Sequence, residues 1–372
     1  MAALTERKGL KVPVSGDISS LVPYPPGKPI EELERELGIK GSIKLASNEN
    51  PLGPSSKAVE AIAGALNNLH RYPDGSCFYL KEKLAGRLGV SSGEIILGNG
   101  SNEIIELLIR AYLRRGDEAV MADPSFAVYP IVVKSVGATA VTVPLREMRH
   151  DLREMSRAVN KNTRVVFIAN PNNPTGTIIT SREFEEFMGS VPEECIVCVD
   201  EAYFEFVRSK EYPGTLEYVK AGRPVVLLRT FSKVYGLAGL RIGYGVAHPE
   251  LVDYMNRVRQ PFNVNSLAQA AAMAALDDSD HLKRTVENNR EGLVYLYGEI
   301  AALGFKYVPT EANFFLVKVG DGKKVYEDLL KKGVIVRPMA GYNMPEYIRV
   351  SVGLPEENRR FIEALADVAR PR

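Results

Sequence analysis

The chain has 372 residues, 45% hydrophobic and 25% charged, and its 47 Lys and Arg against 46 Asp and Glu leave a net charge of +1. That length exceeds what one hydrophobic core usually serves, so two domains are expected. Near-neutral charge argues against a nucleic-acid or anionic-membrane surface as the main partner, so any anion site must be local.

The N-terminal stretch "MAALTERKGLKVPVSGD" lacks the apolar core of a secretion signal, and no run reaches transmembrane length, so a cytoplasmic protein is expected. Residues 1–49, with the Pro-rich "VPYPPGKP", read as an N-terminal arm and part of a small domain. Over 50–258, the expected large domain, short apolar runs alternate with amphipathic helical stretches. The runs are "EIILG", "AVMAD", "TAVTV", "RVVFIANP", "CIVCVDEAY", "VVLLRT" and "RIGYGVA". Between the first two lies "NEIIELLIRAYLR", with Ile104, Ile105, Leu108, Ile109 and Tyr112 on one face. Strands separated by helices predict an α/β fold, a mostly parallel sheet flanked by helices.

At Pro261 the pattern breaks, and 259–372 reads as a smaller α+β domain. A long helix carries Leu282, Val286, Leu293, Leu296, Ile300 and Leu303 on one stripe. The strand-like "FKYVPTEANFFLVKV", "VIVRPM" and "YIRVSVG" follow, and Pro355 opens a final helix.

Cys195 and Cys198 form a CxxC inside "ECIVCVDEAY". In a strand, residues three apart point to opposite faces, and their Cα atoms stand about 10 Å apart, beyond disulfide reach. No second Cys/His pair completes a zinc set, so core thiols and no metal are expected.

Chemistry-bearing residues collect at the strand ends, where open α/β sheets place their ligands. After "EIIL" comes "GNGSNE", which leads into a helix whose free N–H groups suit a phosphate. It is not a dinucleotide fingerprint, because Glu103 stands where the third glycine belongs. Then come "NPNNPTG" (Asn170 to Gly176), Asp200 and Tyr203 in "DEAY", and Lys233 in "TFSK" followed by Arg241. Ser101 and Ser232 add hydroxyls. A lysine buried at a strand end loses charge and can condense with an aldehyde. Pyridoxal phosphate is such an aldehyde: it needs an acid beside its ring nitrogen, donors at its 3-oxygen, and a helix N-terminus, hydroxyls and an arginine for its phosphate. The strand-end set offers each of these, with Lys233 as the residue that bonds the cofactor.

"NPNNPTG", "DEAY", "TFSK" and "GLAGLRIGYG", in this order and spacing, resemble the fold-type-I pyridoxal-phosphate aminotransferases over nearly the whole chain. "LASNENPLGPS", "RYPDG", "GNGSNE" and "IRVSVG" bring the resemblance close to the class II histidinol-phosphate aminotransferase family of histidine biosynthesis. The resemblance implies that Asp200 pairs with the pyridine nitrogen and that Asn173 and Tyr203 hold the 3-oxygen. It places Ser101, Asn102, Ser232 and Arg241 around the phosphate. Phe126 takes the ring-stacking position that is commonly tyrosine, keeping the stacking face and losing the hydroxyl. Tyr72 matches a tyrosine that reaches across a homodimer to the neighbouring subunit's cofactor phosphate.

The same resemblance implies histidinol phosphate (or imidazole acetol phosphate in reverse) and the 2-oxoglutarate/glutamate pair as substrates. Arg337 and Arg349 match the family's two substrate arginines, whose forked donors suit phosphate and carboxylate alike. Tyr24 matches a tyrosine that closes over the substrate, and Asn173 also faces it. An aromatic amino-acid aminotransferase and a threonine-phosphate decarboxylase are the alternatives within this fold. A non-catalytic cofactor-binding sensor would need a fused DNA-binding segment, and no basic helix-turn-helix stretch precedes Asn50.

Overall fold

In the computed structural model, residues 12–369 are described. The first eleven residues of the expected arm and the last three of the expected small domain lie outside them.

The strands in chain order are β1 (Ile43–Lys44), β2 (Ile95–Gly98), β3 (Glu118–Asp123), β4 (Thr139–Pro144), β5 (Thr163–Ala169), β6 (Ile196–Asp200), β7 (Val225–Thr230) and β8 (Gly243–Ala247). They continue with β9 (Lys306–Val308), β10 (Phe314–Lys318), β11 (Val334–Ile335), β12 (Arg337–Pro338) and β13 (Tyr347–Ser351). Every one of the seven apolar runs of the large domain is a strand of a single 7-stranded sheet, ordered β2-β8-β7-β6-β5-β3-β4. All pairings are parallel except those of β8, which runs antiparallel to β2 and β7. That reversal has a consequence for function: the N-terminal end of β8 lies on the edge where β2, β5, β6 and β7 end.

Alternation buries both faces. Ile95, Leu97, Val120, Val166, Val197 and Leu227 belong to one core cluster. Ile96, Met121, Val165, Phe167, Val226 and Leu228 belong to another, capped by Ile104, Ile105 and Leu108 of the helix Ser101–Tyr112. Cys195 falls in the first cluster and Cys198 in the second, both free and buried. Their separation across the sheet matches the two-residue period of a strand, and burial pushes the Cys195 thiol up to about 12.

The small domain is a 4-stranded antiparallel sheet, β12-β13-β10-β9. Phe315, Val317, Ile348 and Val350 pack there against Leu293, Leu296 and Ile300 of the helix Ser279–Ala302 and Phe361 and Leu365 of the helix Pro355–Val368. Leu282 and Val286, in the first half of the long stripe, instead pack on Tyr203 and Phe314. One helix thus serves two cores. β1 pairs with β11, so the N-terminal segment is stitched to the small domain.

The change of pattern at Pro261 does not coincide with a change of core. The helix Ser266–Leu276 contributes Ala268, Ala271, Ala272, Ala275 and Leu276 to the large-domain cluster, with Ala58, Leu80 and Leu84. Small side chains let it approach the helix Ser56–Ala65 closely. An alanine-rich helix carries too little hydrophobic contrast for its partner to be read from periodicity, and here that partner is the core of the 7-stranded sheet.

Candidate active site

At the sheet's C-terminal edge, between the two domains, lies a cavity of about 230 Å³. It is lined by Tyr24, Ser101, Asn102, Phe126, Asn173, Asp200, Tyr203, Ser232, Lys233, Arg241, Arg337 and Arg349. Every site residue expected from sequence except Tyr72 is therefore in one place. Tyr72 is 84% exposed and stacks on Phe262 with ring centroids 4.8 Å apart, away from its own chain's cavity.

Lys233 follows β7 and donates from Nζ to the Ser47 carbonyl at 3.2 Å. Burial, then the neighbouring Arg349 charge, pull its amine down to about 8. Asp200 ends β6. Its Oδ2 accepts from the Tyr129 hydroxyl at 2.9 Å and its Oδ1 from the Ala202 N–H at 3.2 Å. Burial raises the Asp200 carboxyl above its ordinary range, and those donors only partly offset this. An ionised carboxylate there calls for a cationic group in front of it.

Behind Asp200 lies a second carboxylate, Glu201, which Arg229 grips through Nε and Nη2 at 3.0 and 2.8 Å. Arg229 also lies 3.7 Å above the Phe204 ring. The pair ties the end of β6 to β7, the strands that carry Asp200 and lead to Lys233. Tyr129 was not anticipated from the sequence. It is fully buried and stacks on Phe167 of β5 at 4.5 Å. Only its place three residues after Phe126 in "FAVYP" could have hinted that the two rings meet, as they do edge-on at 5.5 Å.

The turn into the helix Ser101–Tyr112 makes the opposite wall. Gly100 has φ +79°, and a Cβ there would come within 2.6 Å of the Arg241 guanidinium. A Cβ at Gly243 would come within 2.5 Å of the Ser101 nitrogen. Glycine is thus required at 100 for its left-handed conformation and at 243 for the close approach of the Ser101 backbone. Arg241 arrives here because β8 starts at this edge. The helix N–H groups, the Ser101 and Ser232 hydroxyls and Arg241 form an anion cradle.

Towards the small domain, Arg337 and Arg349 are directly opposite partners on β12 and β13. Like charges so placed repel unless an anion lies between them. Arg349 is 5% exposed, donating to the Asn173 Oδ1 at 2.6 Å and the Ala46 carbonyl at 2.8 Å, while its buried Nε has no partner. Arg337 donates to the Pro25 carbonyl at 2.8 Å and sits 5.5 Å from the Tyr24 ring centroid. Among the described residues, Arg241, Arg337 and Arg349 form no salt bridge with a carboxylate. The cavity holds four cations, Lys233 included, against Asp200 and Glu49, and Glu49 is paired with Lys44. It is built for anions.

The family described as "Aminotransferase class I and II" matches residues 40–365. The chain belongs to this family. It is 52% identical to a histidinol-phosphate aminotransferase of Moorella thermoacetica, over 94% of this chain and 92% of that one. It is also 52% identical to histidinol-phosphate aminotransferase 1 of Nitrosococcus oceani, over 94% and 95% of the two chains. Among solved structures, the histidinol-phosphate aminotransferase of Sinorhizobium meliloti, in complex with pyridoxal-5'-phosphate, superposes with a TM-score of 0.87. It shares 29% identity, over 95% of this chain and 97% of that chain. Membership fixes the fold as that of the fold-type-I aminotransferases.

Proposed function

We propose that this protein is a pyridoxal-phosphate-dependent aminotransferase that moves an amino group between histidinol phosphate and 2-oxoglutarate, as a step of histidine biosynthesis. The observation that carries the substrate is the pair Arg337 and Arg349, opposite each other on neighbouring strands with no carboxylate between them. A phosphate monoester near −2 charge satisfies both; a neutral aromatic ring would leave two cations unpaired. The names of relatives at 52% identity over most of both chains support the same substrate.

The cavity fits pyridoxal phosphate on its own features. The Gly100 turn and Arg241 leave a cradle that a Cβ would fill, and Asp200 is a buried carboxylate in need of a cation. When bound, the cofactor supplies an aldehyde that condenses with amines and a ring that draws electrons from the neighbouring carbon. Lys233 would hold it covalently, and its amine, with a pKa of about 8, is suited to take up and return a proton. Asp200, oriented by Tyr129, would keep the ring nitrogen protonated. Tyr203 donates to the 3-oxygen. Asn173 turns its Oδ1 to Arg349, which leaves its amide N–H groups to face the cofactor. Ser101, Asn102, Ser232 and Arg241 hold the phosphate, and Phe126 offers a ring face. Tyr24 covers the substrate over Arg337.

Tyr72 completes a partner's phosphate site in a homodimer of this chain, in keeping with its exposure and its distance from its own cavity. No helix of the described residues is long and apolar enough to cross a membrane, and we place the enzyme in the cytoplasm. The test is amino-group transfer in single half-reactions with histidinol phosphate, phenylalanine, tyrosine and O-phosphothreonine. Efficient transfer from histidinol phosphate alone supports the proposal. Equal efficiency with phenylalanine or tyrosine would make the enzyme an aromatic aminotransferase, and carbon dioxide release from O-phosphothreonine would make it a decarboxylase.

A further inference from the structure

Between the two domains, the segment Ala46–Asn50 touches one functional group after another. The Ala46 carbonyl takes an Arg349 N–H, the Ser47 carbonyl takes the Lys233 amine, and the Asn48 amide reaches Tyr203. Asn50 donates to the Val234 carbonyl and to Thr285.

The hydrogen bonds of Asn48 set the direction of its amide. It is 2% exposed with φ +55°, a left-handed conformation that asparagine tolerates better than most residues. Its backbone N–H donates to the Ser351 Oγ at 2.8 Å. The Ser351 hydroxyl then spends its own proton on the Asn48 Oδ1 at 3.0 Å. With Oδ1 committed as acceptor, the other end of the amide must be Nδ2, and it donates to the Tyr203 Oη at 2.9 Å. The Asn313 Nδ2 holds the Asn48 carbonyl at 3.1 Å from a third side. The Tyr203 oxygen therefore accepts from the protein side, and its single proton is left to point into the cavity. Phe314 meets the Tyr203 ring edge-on at 5.0 Å and fixes its plane.

We infer that Asn48, held by Ser351, is a positioning residue that makes Tyr203 a one-way hydrogen-bond donor towards the cofactor's 3-oxygen. The inference rests on the assignment of Tyr203 to that oxygen. It also gives Ser351 a part in the reaction: Ser351 lies two residues beyond Arg349 on β13, so the strand that binds the substrate's anion also sets the phenol. Around Tyr203 stand Lys233, Asp200, Arg349 and Tyr342. Among the described residues, Asn48 is the side chain that hydrogen-bonds its oxygen.

The experiment is a pH titration of the visible absorbance of the cofactor-loaded enzyme, which reads the ionisation of the bound cofactor independently of turnover. A donor at the 3-oxygen favours its ionised form, so losing the donor raises the midpoint. Tyr203→Phe should raise it by about one pH unit. Asn48→Gly keeps the left-handed backbone and removes the amide, and should raise it by on the order of half a unit, the size of one neutral hydrogen bond. Ser351→Ala, which only frees the amide to flip, should raise it by less, and it tests the idea should Asn48→Gly fail to fold. In the Tyr203→Phe background Asn48→Gly should add nothing. Parent-like midpoints in both Asn48→Gly and Ser351→Ala, alongside a shifted Tyr203→Phe, would overturn the inference while leaving the role of Tyr203 intact. An Asn48→Gly shift of the same size with and without the Tyr203 hydroxyl would overturn it too. No shift in Tyr203→Phe itself would remove Tyr203 from the 3-oxygen, and the inference with it.

Discussion

The inner wall of the cavity, formed by the Gly100 turn, Asp200, Ser232 and Lys233, comes from neighbouring strand ends of one sheet. The outer wall, formed by Tyr24, Arg337 and Arg349, comes from the N-terminal segment and the small-domain sheet. The inner wall is fixed by buried strands whose cores lie directly beneath it. The outer wall is tied to it through side-chain bonds such as Arg349 to Asn173, and its own two parts meet where Arg337 donates to the Pro25 carbonyl. A rigid inner wall suits a permanently held cofactor, whose reacting atom must be placed to within a fraction of an ångström. A jointed outer wall suits substrates that must enter and leave.

If that division is right, the inner wall should break first and hardest. Lys233→Ala should lower turnover by on the order of ten-thousandfold or more and abolish the visible absorbance of a lysine-bound cofactor. Near-parent turnover in that variant would remove Lys233 from the reaction.

Asp200→Asn should fold, because the amide can keep the Tyr129 and Ala202 bonds, and should lose about a hundredfold to a thousandfold in kcat. Parent-like kcat would reduce Asp200 to a residue that only shapes the turn after β6.

Tyr72→Ala should weaken cofactor binding by about tenfold, the worth of one phosphate contact. If the contact crosses a dimer, mixing equal amounts of Lys233→Ala and Tyr72→Ala chains should restore sites free of either lesion, about a quarter of the total after random exchange. No recovery despite proven exchange would put Tyr72 outside the neighbouring site.

The smallest effect concerns pH. A Lys233 amine held near 8 is protonated below that pH and neutral above it, so capture of pyridoxal phosphate by the apo-protein should speed up about eightfold from pH 7 to 8.5 and then level off. A rate still climbing tenfold per unit beyond pH 9 would mean an ordinary lysine.

The inner wall was legible in the sequence because each strand run ends in its own functional residue within a few positions: Asp200 after "CIVCV", Lys233 after "VVLLRT", Ser101 after "EIILG". Chain order and one sheet edge were enough to bring them together. Tyr129 was not legible, because its bond to Asp200 joins a helix to the end of a strand 71 positions further on, and the two meet only in the folded molecule. Asn48 stayed hidden for a similar reason. Its segment has no periodicity of its own, and its meaning comes from bonds to Ser351 and Tyr203, more than 150 positions away. The helix Ser266–Leu276 misled in the opposite way: a break at Pro261 suggested a new domain, while close alanine packing kept it in the old core.

If Arg337 and Arg349 read a phosphate monoester, histidinol and histidinol phosphate should be told apart with the imidazole held constant. The measurement is kcat/KM for amino transfer from each amine, in the parent and in Arg349→Ala. A preference for the phosphorylated amine on the order of a thousandfold or more is expected in the parent, from the cost of leaving the buried Arg349 and the half-buried Arg337 without an anion. In Arg349→Ala that preference should fall by about a hundredfold or more, with activity towards glutamate falling alongside it. A parent enzyme that uses histidinol as efficiently as histidinol phosphate, or an Arg349→Ala variant that keeps the full preference, would contradict the account.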